Sequence, residues 1–169
     1  MPERQTNASL LTVNHLSIDY VSRGQPPAHA VVDVNFTLNA GEALGLVGES
    51  GCGKTTLMLA LMRLLPAAGR IVDGEILIQG RDLLSLSEQE MAGLRWKEMS
   101  MIFQGAMNAF NPVRTVGDQI AEAIRLHTTL SDTNAINQRI GNLLDMVGIA
   151  ANRKDQYPHQ YSGGMRQRA

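Results

Sequence analysis

The 169-residue sequence predicts an α/β fold organised around one glycine-rich turn, and three observations predict it. Gly48-Glu49-Ser50-Gly51-Cys52-Gly53-Lys54-Thr55 packs three glycines and a Lys-Thr pair into eight positions. Ala43-Leu44-Gly45-Leu46-Val47 before it reads as a short buried strand, and Thr56 to Met62 after it reads as an apolar helix. Upstream, Val32, Val34, Phe36 and Leu38 alternate with Asp33, Asn35 and Thr37, the period of a half-buried strand. Antiparallel-style strands followed by a strand–turn–helix unit indicate a mixed α/β architecture.

The turn fits the spacing G-x-x-x-x-G-K-[ST]. By composition alone, its four fixed positions coincide in fewer than about one chain in a hundred of this size. Such a loop lets backbone N–H groups converge on an anion with no side chains in the way. Gly48, Glu49, Ser50, Gly51, Cys52 and Gly53 are therefore expected to cradle nucleotide phosphates. Lys54 adds a positive charge near the β- and γ-phosphates, and Thr55 offers a hydroxyl to Mg²⁺, which takes oxygen ligands in octahedral geometry. Thr56 lies in the helix whose positive dipole end faces the loop. A tight turn that merely needs glycines leaves the lysine, the hydroxyl and the flanking pattern unexplained.

Composition narrows the classes. The length suits one domain. A net charge of −1 gives no electrostatic case for a nucleic-acid partner. Cys52 is the single cysteine, so no internal disulfide forms. The longest apolar run, Leu57 to Leu65, is broken by Arg63 and stopped by Pro66, short of the ~20 residues a bilayer needs. Met1 to Asn7 lacks the apolar core of a signal peptide. His15, His29, His127 and His159 show no metal-ligand spacing.

In chain order, Leu11–Val13 and Leu16–Tyr20 read as strand, Ser22–Pro27 as loop, and Asn39–Glu42 as a turn. Gly74–Gly80 reads as a short strand closed by a glycine turn. Ser87 with Glu90 resembles a capping box opening a helix through Leu94. Trp96 is expected to anchor that helix end. Ser100-Met101-Ile102-Phe103-Gln104 reads as a second buried strand. Helical patterns follow at Val116–His127 and Asn134–Val147, the latter ended by Gly148.

Ser162-Gly163-Gly164 precedes the helix-prone run Met165-Arg166-Gln167-Arg168-Ala169. By the same backbone logic it forms a second anion cradle or a simple N-cap. Together with the phosphate loop, Gly74-Glu75-Ile76, Met101-Ile102-Phe103-Gln104, Asn111-Pro112-Val113 and Tyr161, this order resembles the ATP-binding subunits of ABC transporters, closest to the peptide, dipeptide and nickel importers. The resemblance covers the chain from about Leu10. It implies a P-loop ABC ATPase fold with an antiparallel β subdomain and a helical subdomain. Residues 10–47 would be the β subdomain and phosphate-loop strand, 48–104 the P-loop core, 105–161 the helical subdomain and 162–169 the signature, all within one ATP-binding domain over 1–169. It further implies ATP and Mg²⁺ as ligands. Lys54 and Gln104 would be catalytic, with Gln104 joining Thr55 on the metal. Tyr20 would stack on adenine. Ser162, Gly163, Gly164 and Met165 would close over ATP bound by a second, homologous subunit, in a heterodimer. The other implied partners are permease subunits and, indirectly, an extracytoplasmic solute-binding protein, with the chain peripheral on the cytoplasmic face of the inner membrane. Met165 stands where the wider family has glutamine, Tyr161 where it has leucine, and Gly105-Ala106 where an acidic residue is frequent.

The chain ends at Ala169, one turn into the helix that Ser162 is expected to cap. No strand ending in Asp and no catalytic glutamate follow the Ser-Gly-Gly stretch. The expectation is therefore the front part of an ATPase subunit, with the C-terminal half of the core sheet missing and apolar surface exposed beside the phosphate-loop strand. The intact parent is expected to hydrolyse ATP to drive import of a di- or oligopeptide or nickel. A nucleotide-binding remnant without hydrolysis is one alternative. Another P-loop enzyme, such as a small-molecule kinase, is a second, and it gives no reason for Ser162-Gly163-Gly164.

Overall fold

The computed structural model describes residues 9–103, 105 and 109–169. It divides into two compact units between Ser100 and Met101. No helix among the described residues is long and apolar enough to cross a membrane.

The first unit is a four-stranded antiparallel sheet with two helices. Strands β1 (Ser9–Tyr20), β2 (Ala28–Asn39), β3 (Gly69–Ile78) and β4 (Arg81–Asp82) lie in the order β2-β1-β3-β4. Helices α1 (Lys54–Leu61) and α2 (Glu88–Leu94) add Leu57, Ala60, Leu61, Met91 and Leu94 to the core formed by β-strand residues such as Leu16, Ile18 and Ile76. Ser87 caps α2 as the sequence indicates: its hydroxyl accepts from Glu90 N while the Glu90 carboxylate accepts from Ser87 N. Gln79 (φ 49°) and Gly80 (φ 80°) form the two-residue loop between β3 and β4. Positive φ at both positions is what a type I′ hairpin turn requires.

The β1–β2 ribbon has four register shifts, and the two in its middle serve the core. Val13 and Leu16 are three residues apart yet both fully buried. His15 between them has φ 50°, and Val13 pairs with Phe36 while Leu16 pairs with Val34. A bulge there returns Leu16 to the inner face. Asp33 (φ 49°) does the same for Val31 on β2, since Leu16 pairs with Val34 and Ile18 with Val31. This corrects the sequence expectation for Val32, which is 68% exposed; Val31 is the buried residue. The two bulges are tied together. His15 Nδ1 meets Asp33 Oδ1 at 2.7 Å, His15 N donates to Asn35 Oδ1 at 2.7 Å, and Asp33 N donates to Ser17 Oγ at 3.0 Å.

The apolar segments 43–47 and 100–103 are not strands, contrary to expectation. Val47 is 94% and Ile102 92% exposed. A strand exists only when its backbone groups find a ladder, and a parallel strand needs neighbours and covered faces on both sides. No described residue supplies a ladder to either segment. Trp96, two residues after α2, is 63% exposed.

The second unit packs α3 (Val116–His127) and α4 (Thr133–Met146) around Val116, Ile124, Ile136, Ile140, Leu144 and Ile149. Both helices match the periodicity of the sequence to within a residue. Thr115 and Asp132 cap them by accepting from Asp118 N and Ala135 N. Gly148, at φ 69°, ends α4 in the left-handed conformation that favours glycine. Two 3₁₀ turns, Ala151–Asp155 and Pro158–Gln160, lead to α5 (Gly163–Arg168).

Two predictions follow from the bulged ribbon. Gly74 has φ 92°, and a Cβ there would sit 2.5 Å from Asn14 O and 2.6 Å from His15 C. Gly74→Ala should lower stability by at least the ~1–2 kcal/mol of a left-handed non-glycine residue, read as a reduced urea midpoint; an unshifted midpoint would show that the ribbon yields there. Asp33 is held below the usual carboxylate range by hydrogen bonds from His15 and then Asn35. A depressed carboxyl stabilises the fold above its unfolded-state pKa, and that contribution is lost as pH falls through the folded value. Asp33→Asn should flatten the acid limb of the stability curve below about pH 4; a limb of unchanged slope would detach the pair from stability.

Candidate functional site

Helix α1 begins at Lys54, directly after the glycine-rich loop, and its N-terminus differs from every other helix described. Gly53 is the N-cap residue at φ 92°, no side chain caps it, and its first turn holds no acidic residue. Helices α2 to α5 are each capped by a Ser, Thr or Asp oxygen. Among the described residues, the orphan N–H groups at the start of α1 therefore have no capping side-chain oxygen, and no acidic residue in the first turn offsets the positive end of the helix. That is the environment an anion needs.

The loop closes tightly around this end. Gly51 has φ 84°, and Cys52 N donates to Glu49 O at 3.3 Å. A Cβ on Gly48 would lie 2.6 Å from Cys52 Sγ, so a side chain there would fill the cradle. A Cβ on Gly53 would lie 2.3 Å from the Ala30 carbonyl oxygen. Strand β2 thus forms the floor on which the loop rests. Lys54 curls back over the loop, donating from Nζ to Gly48 O at 2.7 Å and Glu49 O at 2.6 Å, with Cys52 Sγ at 3.3 Å. All three ammonium donors point at the loop, so the cation sits over the cradle. Thr55 is exposed.

Tyr20, at the end of β1, reaches α1: its hydroxyl is 3.3 Å from Thr56 Oγ1, and its ring edge lies beside Gly69. Thr56 therefore faces Tyr20. Next to them, His29 Nδ1 meets the buried Asp19 carboxylate at 2.8 Å. The far end of α1 is secured by a residue with no sequence signal. Arg95 donates from Nε to Met62 O at 3.0 Å and from Nη2 to Arg63 O at 3.3 Å, and is itself held by Glu88. Arg63 in turn donates to Leu83 O and Leu86 O. The floor provided by Ala30 is the other contribution missed from sequence. Gly53 was its only trace.

The Ser162-Gly163-Gly164 stretch lies in the second unit. Ser162 Oγ accepts from Met165 N at 3.3 Å as the N-cap of α5, and Gly163 and Gly164 form its exposed first turn. Tyr161 before it is 3% exposed and donates its hydroxyl to Arg153 O at 2.9 Å. Burial pushes its phenol above the usual value. The Asn111-Pro112-Val113 turn is clamped by Gln119, whose amide accepts from Asn111 N and donates to Asn111 O. Gln104 lies outside the described residues. Among the described residues, no group of three or more His, Cys, Asp or Glu side chains is arranged to hold a metal. An exposed Thr55 hydroxyl beside a phosphate cradle fits a cation that takes its remaining ligands from phosphate and water.

These features define a phosphate-loop nucleotide-binding unit on an antiparallel sheet, with a separate helical unit. The ABC transporter family model matches residues 31–169, and the chain belongs to that family. It is 44% identical over 162 residues to the dipeptide transport ATP-binding protein DppD of Bacillus subtilis, covering 94% of this chain and 48% of the relative. It is also 44% identical to the oligopeptide transport ATP-binding protein OppD of Escherichia coli, over 99% of this chain and 49% of the relative. The chain thus spans about half the length of the curated relatives it matches. A solved dimeric structure of the ATP-binding cassette MJ0796, in a post-hydrolysis state bound to ADP and Pi, superposes with a TM-score of 0.76 at 21% identity. The match covers 94% of this chain and 66% of that one, and it establishes the fold.

The fit of Gly53 on Ala30 is testable directly. Gly53→Ala should displace the loop, seen as shifted backbone amide resonances from Gly48 to Thr56 and at Val31. Resonances matching the parent chain would mean that the 2.3 Å approach is relieved without moving the loop.

Proposed function

We propose that this chain binds ATP with Mg²⁺ at Gly48–Thr56, as part of a subunit whose ATP binding and hydrolysis energise solute import through a membrane permease. The uncapped, acid-free N-terminus of α1 behind a positive-φ glycine loop carries this reading. The names of the peptide-transport relatives support a di- or oligopeptide as solute, and the subunit would sit at the cytoplasmic face of the membrane.

The roles follow from chemistry. Backbone N–H groups of Gly51, Gly53, Lys54 and Thr55 would receive phosphate oxygens. Lys54 would exchange its two carbonyl acceptors for the β- and γ-phosphates, gaining charge-assisted hydrogen bonds in place of neutral ones. Mg²⁺, when bound, neutralises charge on the transferring phosphoryl group. Thr55 would hold it by its hydroxyl and Gln104 by its amide oxygen, with Gln104 also orienting water. Tyr20 would offer its ring to adenine. Ser162, Gly163, Gly164 and Met165 would face nucleotide on a second ATPase subunit. The boundaries 10–47, 48–104, 105–161 and 162–169 are proposed for the successive functional segments of one ATP-binding domain.

The test is equilibrium binding of a fluorescent ATP analogue with and without Mg²⁺. Lys54→Ala should weaken binding at least about tenfold, the loss of one strong charged contact, and should leave the melting midpoint near that of the parent. Equal affinity in parent and variant would remove Lys54 from the site.

A further inference from the structure

The phosphate loop rests on an irregular point of the sheet. On the β1–β2 ribbon Ile18 pairs with Val31 and Asp19 with His29, so β2 uses one more residue than β1 between these pairs. Ala30 is that extra residue, left without an opposite number as in a β-bulge. It is also the residue whose carbonyl oxygen a Cβ on Gly53 would meet at 2.3 Å, with Val31 Cγ2 at 3.4 Å from the same point. The floor of the loop is therefore the bulge itself.

A bulge is a weak floor unless something holds it. The hydrogen-bond ladder is interrupted there. Among the described residues β2 is an edge strand, held by β1 alone in the order β2-β1-β3-β4. Beyond the bulge the ribbon has two pairs left, Asp19 with His29 and Tyr20 with Ala28. The first of these carries a side-chain bond as well, His29 Nδ1 to Asp19 Oδ1 at 2.8 Å. An ionised carboxylate only accepts, so Nδ1 carries the hydrogen. The Asp19 side chain is 12% exposed and the His29 side chain 69%. The carboxylate is the fixed partner, and the ring is oriented by it. The two residues are also well placed along the chain. Asp19 precedes Tyr20, whose hydroxyl is 3.3 Å from Thr56 Oγ1, and His29 precedes Ala30. One side-chain pair thus ties together the two points at which the ribbon meets the start of α1.

We propose that His29 is a positioning residue for the phosphate loop. By donating to Asp19 it closes the ribbon over the Ala30 bulge and fixes the carbonyl against which Gly53 is set. It acts through Ala30 and needs no contact with nucleotide. The consequence for affinity rests on the reading that Gly48–Thr56 binds ATP, whereas the consequence for the loop does not.

The test compares the ¹⁵N-labelled parent chain with His29→Leu, His29→Ala and His29→Asn. Amide spectra are recorded without nucleotide, and affinity is measured for a fluorescent ATP analogue with Mg²⁺. The ring is exposed, so the variants should keep the fold, which the dispersion of each spectrum reports. His29→Leu and His29→Ala should shift the Gly53 and Lys54 amides and weaken the analogue by about twofold to fivefold, the scale of one partly exposed ion pair. The amide of His29→Asn can donate to Asp19 in place of Nδ1, so this variant should return both readouts toward the parent. It lacks the imidazole as the other two do, so its recovery separates the hydrogen bond from loss of the ring. Parent-like Gly53 and Lys54 amides in His29→Leu and His29→Ala would overturn the proposal. So would a His29→Asn that behaves like them, or moved amides with unchanged affinity in a parent that binds. A parent that binds no analogue would overturn the nucleotide reading instead, and the amide spectra would still decide the role of His29.

Discussion

Helix α1 is fixed at both ends, and the candidate nucleotide site depends on that. At eight residues it is far too short to hold itself together in water. Its position is imposed from outside. Gly53 rests on the Ala30 carbonyl at one end, and Arg95 grips the Met62 and Arg63 carbonyls at the other. Between them Leu57, Ala60 and Leu61 are buried against the sheet. The helix therefore aims its free N–H groups where β2 and α2 place them. Capping at the two ends is asymmetric for a physical reason. The C-terminal carbonyls take a guanidinium, which suits the negative end, while the positive end is left without an acidic or hydroxyl cap.

The floor beneath the loop is set in turn by the bulged ribbon. An unbulged β1 would place Val13 and Leu16 on opposite faces. The extra residues at His15 and Asp33 let one face carry Val13, Leu16, Ile18 and Val31 together. Val31 adjoins Ala30, so the register correction at Asp33 also fixes which carbonyl meets Gly53. Hydrogen bonds among His15, Asp33, Asn35 and Ser17 lie on the exposed side of these bulges. The polar cluster specifies register, and register positions the phosphate loop.

What could be read from the sequence follows the range of the forces involved. Helices α2, α3 and α4 were legible because their signals are local: Ser87 with Glu90, and the spacing of Ile136, Ile140 and Leu144, lie within a few turns, whereas the caps Thr115 and Asp132 were not singled out. The loop was legible because Gly51 and Gly53 are demanded by backbone conformation. Bulges were not, because His15 and Asp33 carry no glycine to announce positive φ; their conformation is held by partners sixteen to twenty residues away. The apolar runs 43–47 and 100–103 gave a correct reading of hydrophobicity and an incorrect one of structure. Apolarity states that a segment gains from burial, whereas strand formation requires a neighbour to complete its hydrogen bonds. Arg95 was invisible for a similar reason: its partners are the carbonyls of a helix end more than thirty residues earlier.

The glycine-containing starts of α1 and α5 are not equivalent, and the difference bears on how each could meet a phosphate. At α1 the N–H groups are uncapped and a lysine amine lies over the loop, so an anion adds hydrogen bonds without removing a cap. At α5 the Ser162 hydroxyl already accepts from Met165 N. An anion that took this N–H would displace a cap contributing about 1 kcal/mol. It would recover part of that through the freed hydroxyl, which can then donate to the anion. Gly163 and Gly164 leave the approach open, since neither carries a side chain across it. The α1 start is built to hold an anion by itself, whereas α5 gains from one only when it arrives already held elsewhere.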